Sequence, residues 1–306
     1  MIELGIVGVG AIAHKQHKAA IDAHGAFSLV ASASHDGAFD GVPAYREMSD
    51  MLAAHPEISA VTLCVPPRVR TRLALEAIRA GKHVFLEKPP GQTVTEVLAL
   101  QAAAEAAGVT LFASWHSRYA AAVEPLKAAI AEHGMRGVQV PWREDARIYH
   151  PGQRWIWEDG GFGCFDPGIN ALSILTHVLP APFYTEAAKF WIPDNATQPV
   201  RAELLYRDTE GRAIEALFNF DHPEPAEWSI IVETDGPTLT LSGGGKQLMV
   251  DDAVVVDAPD AEYLALYEVF AGLVAGGRCD VDVLPLTHCS DAFLLAAREV
   301  APAFVE

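Results

Sequence analysis

The segment with the clearest chemical potential is Glu87-Lys88-Pro89-Pro90, which directly follows the apolar run 83–86. In an open α/β sheet, ligands bind outside the carboxyl ends of the parallel strands. A lysine at the end of such a strand can polarise a bound hydroxyl group or, when neutral, accept its proton. Lys88 is therefore the first catalytic candidate. We expect the Lys88–Pro89 peptide bond to be cis, because the chain must turn sharply there to project the lysine.

A glycine turn near the N-terminus predicts a dinucleotide site. The pattern Gly8-x-Gly10-x-x-Ala13 follows a short apolar strand and opens a helix. Glycines allow the backbone to approach a pyrophosphate closely, and the helix N-terminus attracts its negative charge. The residues expected to contact the pyrophosphate through their backbone are Gly8, Gly10, Ala11 and Ile12.

The end of the second predicted strand should meet the adenosine ribose of the dinucleotide. A cofactor without a 2′-phosphate usually meets an Asp or Glu there, whereas this chain has Ser34, His35 and Asp36. Ser34 and His35 can donate hydrogen bonds to a phosphate, and Asp36 could hold a ribose if the loop turned inward. The sequence therefore allows both NADP and NAD and slightly favours NADP.

Three further strand ends complete the expected cofactor contacts. Pro66-Pro67 ends the third strand, where it either presents rigid backbone to the nicotinamide or simply terminates the strand. Glu87 and Lys88 follow the fourth strand, and His116 follows the fifth. At that edge of the sheet His116 can face the cofactor or the substrate. The alternative is a structural histidine with satisfied hydrogen bonds.

The stretch 142–168 combines tryptophans with hydrogen-bonding side chains. Aromatic ring faces match the C–H groups of a sugar, and donors and acceptors match its hydroxyls. The same composition also suits a Trp-rich hinge between two domains, which is the alternative interpretation. The residues expected to bind the substrate are His116, Glu144, His150, Trp155, Asp166 and Asn170.

Two more catalytic candidates lie at the start of a predicted helix. Asp166 followed by Pro167 is a typical helix start, in which the carboxylate caps the free N–H groups. Asn170 lies one turn further along nearly the same face, and Gly168 between them would leave room for a ligand. We therefore expect Asp166 and Asn170 to act in catalysis, with Lys88, or in substrate binding.

Metal binding and disulfide formation are not expected. His14 and His17 are spaced as two helical metal ligands could be, but no carboxylate or further ligand accompanies them. The four cysteines show no C-x-x-C spacing, which favours free thiols.

Composition excludes several classes of partner. A chain of 306 residues, half of them hydrophobic, is long enough for two packed domains. Its formal net charge of −18 would repel a nucleic acid. The apolar runs fall short of the roughly 20 residues that span a bilayer, and no basic leader precedes the first strand. We therefore expect a cytoplasmic protein without a membrane or nucleic-acid partner.

The predicted fold class is α/β with two domains. Strand and helix patterns alternate up to about residue 115, which predicts a doubly wound parallel sheet of the Rossmann type. Strand-like runs joined by short turns then predict an α+β domain with a large, mostly antiparallel sheet. The expected domains are 1–118, which binds the dinucleotide, and 119–306, which binds the substrate. The expected elements late in the second domain include a strand at 247–255 and helices at 260–275 and 286–301.

These motifs together resemble the Gfo/Idh/MocA oxidoreductase family, named after glucose–fructose oxidoreductase and inositol dehydrogenase. The resemblance rests on the turn 8–13, Pro66-Pro67, the segment 81–90 and the motif 166–168. Many members have a histidine where this chain has Asn170. With that residue, the motifs 115–118, 150–153 and 166–174 resemble the branch of aldose 1-dehydrogenases that act on D-galactose or L-arabinose.

The resemblance implies NAD(P)-dependent oxidation of a pyranose at its anomeric carbon to a lactone. Lys88 or Asp166 would accept the hydroxyl proton, and Asn170 would orient the sugar. D-galactose and L-arabinose share their ring stereochemistry from C1 to C4, so one site could accept both.

Two alternatives to an aldose dehydrogenase stay open. One is a cyclitol or other polyol dehydrogenase of the same family. The other is a redox sensor that binds a dinucleotide without turnover, although a sensor would need none of Lys88, Asp166 and Asn170. Whichever function applies, an exposed antiparallel sheet face would favour a homodimer or tetramer.

Overall fold

The computed structural model describes residues 1–305, which form two compact units. The first unit combines Met1–His116 with Glu262–Val283, and the second combines Ser117–Ala261 with the chain from Leu284 onward. The strands are β1 (Ile2–Val7), β2 (Phe27–Ala33), β3 (Ala44–Tyr45), β4 (Ala60–Leu63), β5 (His83–Leu86), β6 (Leu111–Ala113), β7 (Gly137–Arg143), β8 (Phe183–Pro193), β9 (Arg201–Asp208), β10 (Ala213–Asn219), β11 (Glu227–Trp228), β12 (Ile230–Glu233), β13 (Leu239–Ser242), β14 (Gln247–Val250), β15 (Ala253–Asp257) and β16 (Ala297–Ala301). The α-helices are α1 (Lys18–Ala23), α2 (Met48–Ala54), α3 (Pro67–Arg79), α4 (Val94–Ala107), α5 (Val123–His133), α6 (Ala146–Tyr149), α7 (Phe165–Val178), α8 (Glu262–Gly276) and α9 (Leu284–Leu295).

The first unit is built on a six-stranded sheet with the order β3-β2-β1-β4-β5-β6. Every strand pair in it is parallel. The apolar residues of β4 are buried throughout, as expected of a sheet that is covered on both faces. The strand order reverses between β1 and β4, which is where open α/β sheets bind ligands. The predicted doubly wound Rossmann-type sheet is confirmed.

The first helix contains a local irregularity that matters for the site. The sequence predicts a helix over 11–24, and its first part, Ala13–His17, is a π-helical turn that continues into α1. Such turns interrupt regular helices and are frequent at functional sites. His17, the last residue of this turn, is fully buried.

The boundary between the units differs from the predicted division at 118/119. Residues 262–283 pack with the first unit because α8 presents aromatic side chains to the first sheet. Tyr267 stacks on Phe85 with ring centroids 5.2 Å apart. The following segment pairs with the edge strand β6, where Asp280 exchanges two backbone hydrogen bonds of 3.0 Å with Leu111 and Ala113. No local sequence pattern in 262–283 shows that this segment packs on the first sheet and not on the second.

The second unit holds a ten-stranded sheet along the path β15-β14-β13-β12-β7-β10-β9-β8-β16, with β11 paired to β7. Most pairs are antiparallel, while β7–β10 and β8–β16 are parallel. Along β9, burial alternates from residue to residue, as the period of a strand requires. The buried face packs against α7 and α9. The predicted large, mostly antiparallel sheet is confirmed.

Two element predictions in this unit are wrong. The run 247–255 forms two strands, β14 and β15, separated by a tight turn in which Asp251 has a φ of +51°. The predicted helix 286–301 ends at Leu295, and 297–301 instead forms β16 beside β8. A free sheet edge offers backbone partners to this segment, and tertiary pairing of this kind overrides local propensity.

Candidate active-site residues

The glycine turn follows β1 directly. Gly8 has a φ of +90°, and a Cβ atom there would lie 2.7 Å from the carbonyl oxygen of Cys64, at the end of β4. The Gly8 N–H donates to the carbonyl of Ala33, at the end of β2, over 2.8 Å. Only glycine adopts this positive φ and allows this close approach without strain. The turn is therefore fixed between the ends of β2 and β4, the two strands that flank β1.

The helix that follows presents a suitable cradle for a pyrophosphate. Gly10, Ala11 and Ile12 are exposed, while Ala13 turns into the interior. Nothing lies within 4 Å of the position that a Cβ atom on Gly10 would take. The first N–H groups of a helix have no partners within that helix and can bind a phosphate. These residues fit a dinucleotide.

The loop after β2 lies against this turn. Gly37 packs on the carbonyl of Val9 so closely that a Cβ atom would overlap it. The Ser34 N–H donates to the Tyr45 carbonyl over 2.9 Å, which anchors the loop to β3. His35 is exposed, and its Nε2 lies 3.3 Å from the carboxylate of Glu47. The loop thus brings Ser34 and His35 to the edge of the sheet that carries the glycine turn.

Lys88 follows β5 and is half-buried, and its bond to Pro89 is cis, as predicted. The preceding carboxylate of Glu87 is only 4% exposed. Its Oε2 accepts the Lys88 backbone N–H over 2.8 Å. Its Oε1 lies 2.9 Å from Nε2 of His17 and accepts the Tyr263 hydroxyl over 2.7 Å. Both oxygens of Glu87 therefore have donors within the first unit.

This environment keeps Glu87 ionised. Burial by itself raises the pKa of the Glu87 carboxyl, but its bonded partners, chiefly His17, lower that pKa to about 2. The other nitrogen of His17, Nδ1, lies 2.9 Å from the Tyr267 hydroxyl. That hydroxyl in turn lies 3.2 Å from Oγ1 of Thr62. The cluster of His17, Glu87, Tyr263 and Tyr267 is thus bonded internally and sealed from solvent.

Arg70 binds the backbone on either side of Lys88. Its guanidinium is 3% exposed and donates to the carbonyl of Glu87 over 2.6 Å. It also donates to the carbonyls of Pro89 and Val65. One arginine thereby connects the loops that follow β4 and β5. Arg70 lies one turn into α3, which begins with Pro66 as its N-cap and Pro67 in its first turn.

His116 lies beside this cluster in the first unit. Its Nδ1 is 2.5 Å from the carboxylate of Glu262, and its ring stacks on Tyr263 with centroids 5.5 Å apart. Burial lowers the pKa of His116, but the Glu262 carboxylate outweighs this and raises the pKa above its usual value. Glu87 and Lys88 also act electrostatically on it. The structure thus brings Lys88, Glu87 and His116 together.

In the second unit, the buried carboxylate of Glu144 follows β7 and is 3% exposed. Its Oε1 lies 2.9 Å from Nε2 of His150, and its Oε2 accepts the indole N–H of Trp228 over 2.7 Å. The remaining nitrogen of His150, Nδ1, is 3.6 Å from Oδ2 of Asp166. Glu144, His150 and Asp166 therefore form a chain whose last contact, at 3.6 Å, is within ion-pair range but too long for a hydrogen bond.

Asp166 does not cap its helix, in contrast to the prediction. The N-cap of α7 is Cys164, and no side chain caps the helix. The chain makes a tight turn there, in which the Asp166 N–H donates to the Gly163 carbonyl over 2.9 Å. The carboxylate, 4% exposed, is directed to His150 instead.

Gly168 also has a different role from the one predicted. A Cβ atom on Gly168 would overlap the ring of Phe218, so this glycine packs in the core and leaves no space for a ligand. Asn170, one turn beyond Asp166, is half-buried. Its backbone carbonyl accepts the Ser173 hydroxyl over 2.7 Å. The Asp166 and Asn170 side chains thus start from neighbouring turns of one helix, as predicted.

The tryptophans of 142–168 divide into two kinds. Trp142 lies in β7 and is 3% exposed, so it belongs to the core of the second unit. Trp155 is half-buried in a short 3₁₀ turn, Arg154–Ile156. The backbone there is close to Gly161, where a Cβ atom would overlap the carbonyls of Trp155 and Ile156. Trp157, also half-buried, packs on the rings of Phe220 and Phe304, so Trp155 stays the candidate for contact with a sugar.

Sequence reasoning missed the residues that hold the candidate carboxylates. His17, Arg70, Tyr263 and Trp228 each bind a group next to a candidate residue, yet only His17 was considered, as a metal ligand. Tyr263 is separated from Glu87 by 176 residues, and Trp228 from Glu144 by 84. No local pattern could pair them.

The described chain offers no sign of a metal centre. Within residues 1–305, no group of three or more His, Cys, Asp or Glu side chains is arranged to hold a metal ion. His14 is exposed and packs on Phe39 with ring centroids 4.7 Å apart, whereas His17 binds Glu87. None of the helices described in these residues is both long and apolar enough to cross a membrane.

Comparison with known proteins agrees with the geometry of both units. Residues 2–114 match the family model for the Gfo/Idh/MocA oxidoreductases, described as an oxidoreductase family with an NAD-binding Rossmann fold. Galactose 1-dehydrogenase of Pseudomonas fluorescens is 39% identical over 305 residues, which cover 100% of this chain and 99% of that protein.

Two solved structures resemble the whole chain. The D-galactose-1-dehydrogenase protein from Rhizobium etli is 47% identical, with a TM-score of 0.95 over 99% of this chain and 98% of that one. A 3-ketoreductase from Actinomadura kijaniata, solved with NADP, shares the fold at 17% identity, with a TM-score of 0.85 over 98% and 99% of the two chains.

The first unit therefore binds a nicotinamide dinucleotide. The full-length similarity extends this relationship to the second unit, with its large sheet and its Asp166 helix. The chain belongs to the Gfo/Idh/MocA family of NAD(P)-dependent oxidoreductases.

Proposed function

We propose that the chain is a cytoplasmic aldose 1-dehydrogenase that oxidises D-galactose, in its pyranose form, to the lactone. The observation that carries the proposal is similarity to two galactose dehydrogenases along the whole chain, through the substrate unit as well as the dinucleotide unit. The Glu144–His150–Asp166 chain supports it, because an anomeric hydroxyl must lose a proton as C1 loses a hydride.

The roles of the residues follow from their chemistry. When bound, the oxidised nicotinamide supplies the hydride acceptor. The C1 hydroxyl loses its proton either to neutral Lys88 or to Asp166, and in the second case the Lys88 ammonium polarises the hydroxyl and stabilises the developing oxygen charge. Loss of one hydride and one proton from the C1–OH group leaves the C=O of the lactone.

The remaining candidates bind and orient the sugar. Asn170 offers a donor and an acceptor to ring hydroxyls. Glu144 and His150 lie next to Asp166 and can form hydrogen bonds with a sugar hydroxyl. The half-buried Trp155 can cover a C–H face of the sugar. His116, whose imidazole is bonded to Glu262, belongs to the first unit and contacts either the cofactor or the substrate.

L-arabinose is expected to be a second substrate. It matches D-galactose from C1 to C4 and lacks only the C6 hydroxymethyl group. A site that reads the shared hydroxyls accepts both sugars, with a loss for L-arabinose set by the contacts of the missing group.

A panel of substrates tests the proposal. Reduction of NAD and NADP is followed by absorbance with D-galactose, L-arabinose, D-glucose and myo-inositol, the last of which represents a cyclitol dehydrogenase. Methyl β-D-galactopyranoside, in which C1 cannot form a lactone, is the matched control. We expect turnover of D-galactose and none of the glycoside. Turnover of myo-inositol or the glycoside in preference to D-galactose would contradict oxidation at C1, and no turnover of any polyol would favour the redox sensor.

We also propose a modest preference for NADP over NAD. Ser34 and His35 can donate to a 2′-phosphate, while Glu47 beside His35 limits that preference. The test is Ser34→Asp, which should weaken NADP binding about tenfold or more and leave NAD within about threefold, because a carboxylate repels the phosphate but accepts hydrogen bonds from a ribose diol. Equal losses for both cofactors would mean that Ser34 does not face the ribose.

The protein is further proposed to be a homodimer through the open face of the large sheet. That face forms a groove of about 750 Å³ that includes Pro141, Leu205, Leu217 and Ile231. Side chains of both charges surround these apolar residues, for example the basic Lys189 and Arg143 and the acidic Glu203 and Glu227. A patch with both signs can complement a second copy of itself about a two-fold axis.

The oligomer is tested by light scattering after size exclusion. Leu205→Glu places a charge in the centre of this face and should yield a monomer. Leu98→Glu changes an exposed leucine on α4 of the first unit, and should leave the dimer intact. A wild-type monomer, or a dimer that survives Leu205→Glu, would exclude this face.

A further inference from the structure

The carboxylate of Glu87 has three of its roughly four acceptor positions occupied within the protein, and it is only 4% exposed. Its Oε1 has two donors, His17 and Tyr263, at 2.9 and 2.7 Å. Its Oε2 accepts the backbone N–H of Lys88 over 2.8 Å. Its two side-chain partners are buried as well, since His17 is 0% exposed and Tyr263 is 4% exposed.

We propose that Glu87 is a positioning residue for Lys88, and that His17 and Tyr263 hold the Glu87 carboxylate for that purpose. This inference rests on the catalytic role proposed above for Lys88. It replaces the expectation that Glu87 contacts the cofactor.

The backbone around Lys88 is fixed on both of its faces. Glu87 binds the N–H of the peptide that leads into Lys88, and Arg70 binds the carbonyl of that same peptide over 2.6 Å. Arg70 also binds the carbonyl of Pro89, the residue after Lys88. A rotation of the Glu87–Lys88 peptide would break buried charge-assisted hydrogen bonds to both Glu87 and Arg70, so the peptide from which Lys88 starts is held in one orientation.

The source of this restraint is spread over the first unit. His17 comes from the π-helical turn after the glycine motif, and Tyr263 comes from α8, near the end of the chain. Because Glu87 has a pKa of about 2, the carboxylate keeps its charge at any pH at which the enzyme works. The same turn that follows the dinucleotide motif therefore also contributes to the position of the lysine. An error of about 1 Å in such a position can cost up to about a hundredfold in rate.

A double-mutant cycle tests the inference. Glu87→Gln keeps the size of the side chain but removes its charge and one acceptor oxygen. We expect kcat to fall at least about tenfold, while the dissociation constant of NADPH, measured by fluorescence without sugar, changes less than about twofold. In the Lys88→Ala background the same substitution should cause no further loss, because two residues that act as one unit are not additive. Equal losses in both backgrounds, or a loss explained by weaker NADPH binding, would overturn the inference.

Two tyrosines of α8 provide a matched pair. Tyr263 and Tyr267 are both buried and one turn apart, yet only the Tyr263 hydroxyl binds Glu87, while that of Tyr267 binds His17 and Thr62. Tyr263→Phe should lower kcat about three- to tenfold with unchanged KM for the sugar. Tyr267→Phe, which removes a hydroxyl that binds His17 and not Glu87, should lower kcat clearly less than Tyr263→Phe does. Equal effects would indicate a general loss of packing and would contradict positioning through Glu87.

The tyrosine pair also keeps the inference testable if Glu87→Gln fails to fold, because both Tyr→Phe variants keep the aromatic ring in the core. The cycle uses whichever sugar the panel identifies, so a different substrate leaves the test intact. If Lys88→Ala retains near-normal turnover, Lys88 is not catalytic and the positioning role falls with it. NADPH binding then still reports whether the dinucleotide unit is sound.

Discussion

Glu87 in the first unit and Glu144 in the second are buried carboxylates with nearly identical donors. Each lies 2.9 Å from Nε2 of a histidine. Each accepts an aromatic donor over 2.7 Å, the Tyr263 hydroxyl for Glu87 and the Trp228 indole for Glu144. The chemical groups are thus alike, and the difference lies in what the histidines and carboxylates contact next.

The first assembly is closed. The second nitrogen of His17 binds the Tyr267 hydroxyl, and the second oxygen of Glu87 binds backbone. The second assembly continues, because the other nitrogen of half-buried His150 lies 3.6 Å from the Asp166 carboxylate. An assembly whose polar groups all bond within it, such as that of Glu87, fixes the position of its neighbour. An assembly with a group left next to another side chain, such as that of Glu144, can change the charge and hydrogen bonding of that side chain. The same buried His–Glu pair therefore does not by itself indicate catalysis.

The largest effect is expected at Lys88 and Asp166, the proposed catalytic residues next to these two assemblies. Lys88→Ala and Asp166→Ala should each lower kcat at least about a hundredfold, the scale of a lost proton-transfer group, while NADPH still binds. Steady-state kinetics with the best aldose measures the effect, and thermal melting checks the fold.

Matched controls come from nearby residues of the same type. Lys82→Ala removes a lysine that binds the Ile58 carbonyl, and Asp145→Ala removes the cap of α6. Both should retain kcat within about twofold. A folded Asp166→Ala or Lys88→Ala enzyme with near-normal turnover would remove that residue from the mechanism.

The next effect distinguishes the two histidines. His17→Phe leaves a buried carboxylate short of a donor and should lower the free energy of unfolding by about 3 kcal/mol, because an ionised buried acceptor loses a hydrogen bond. His150→Phe, at a half-buried position beside Phe220, should cost less than about half of that but lower kcat about tenfold. Urea unfolding and kinetics on both variants decide. Similar stability losses would break the distinction between a closed and a continuing assembly.

A smaller effect concerns pH. The Glu87 carboxyl has a pKa of about 2 in the folded protein, against 4.5 as its ordinary value. Because the folded pKa is the lower one, ionised Glu87 stabilises the fold fully above pH 4.5, and this contribution is lost as the pH falls toward 2. Glu87→Gln should therefore be less stable than the wild type at pH 7, and the gap should narrow in urea unfolding at pH 3. A gap that stays constant would mean that the charge of Glu87 contributes no stability.

The sequence indicates the candidate site residues better than it indicates the side chains that hold them in place. Lys88, Asp166 and the Gly8 turn lie in short local motifs, where the residue types and the strand or helix context carry the information. Tyr263 and Trp228 act across long sequence separations. Their partners depend on how strands and helices pack, which periodicity does not encode.

The errors have the same physical origin. Gly168 was expected to leave room for a ligand, but the strand that carries Phe218 fills that space. Asp166 was expected to cap α7, but the carboxylate is directed to His150. Residues 262–283 were assigned to the second domain, because an amphipathic helix does not reveal which sheet it will cover. Each miss is a tertiary contact that overrode a sound local preference.

The smallest effect is expected at Asn170, on the same helix as Asp166. The Asp166 carboxylate has His150 as a neighbour, whereas the Asn170 amide is half-buried and makes no hydrogen bond to any of residues 1–305. Its donors and acceptor are thus available to a sugar hydroxyl. Asn170→Ala should raise KM for the sugar about three- to tenfold and lower kcat by less than about threefold, because an orienting hydrogen bond acts on the bound ground state as well as the transition state. Steady-state kinetics with D-galactose separates the two constants, and Ser173→Ala, which removes the hydroxyl bound to the Asn170 backbone, is the control. A loss confined to kcat would instead place Asn170 among the groups that act only in the transition state, with Asp166.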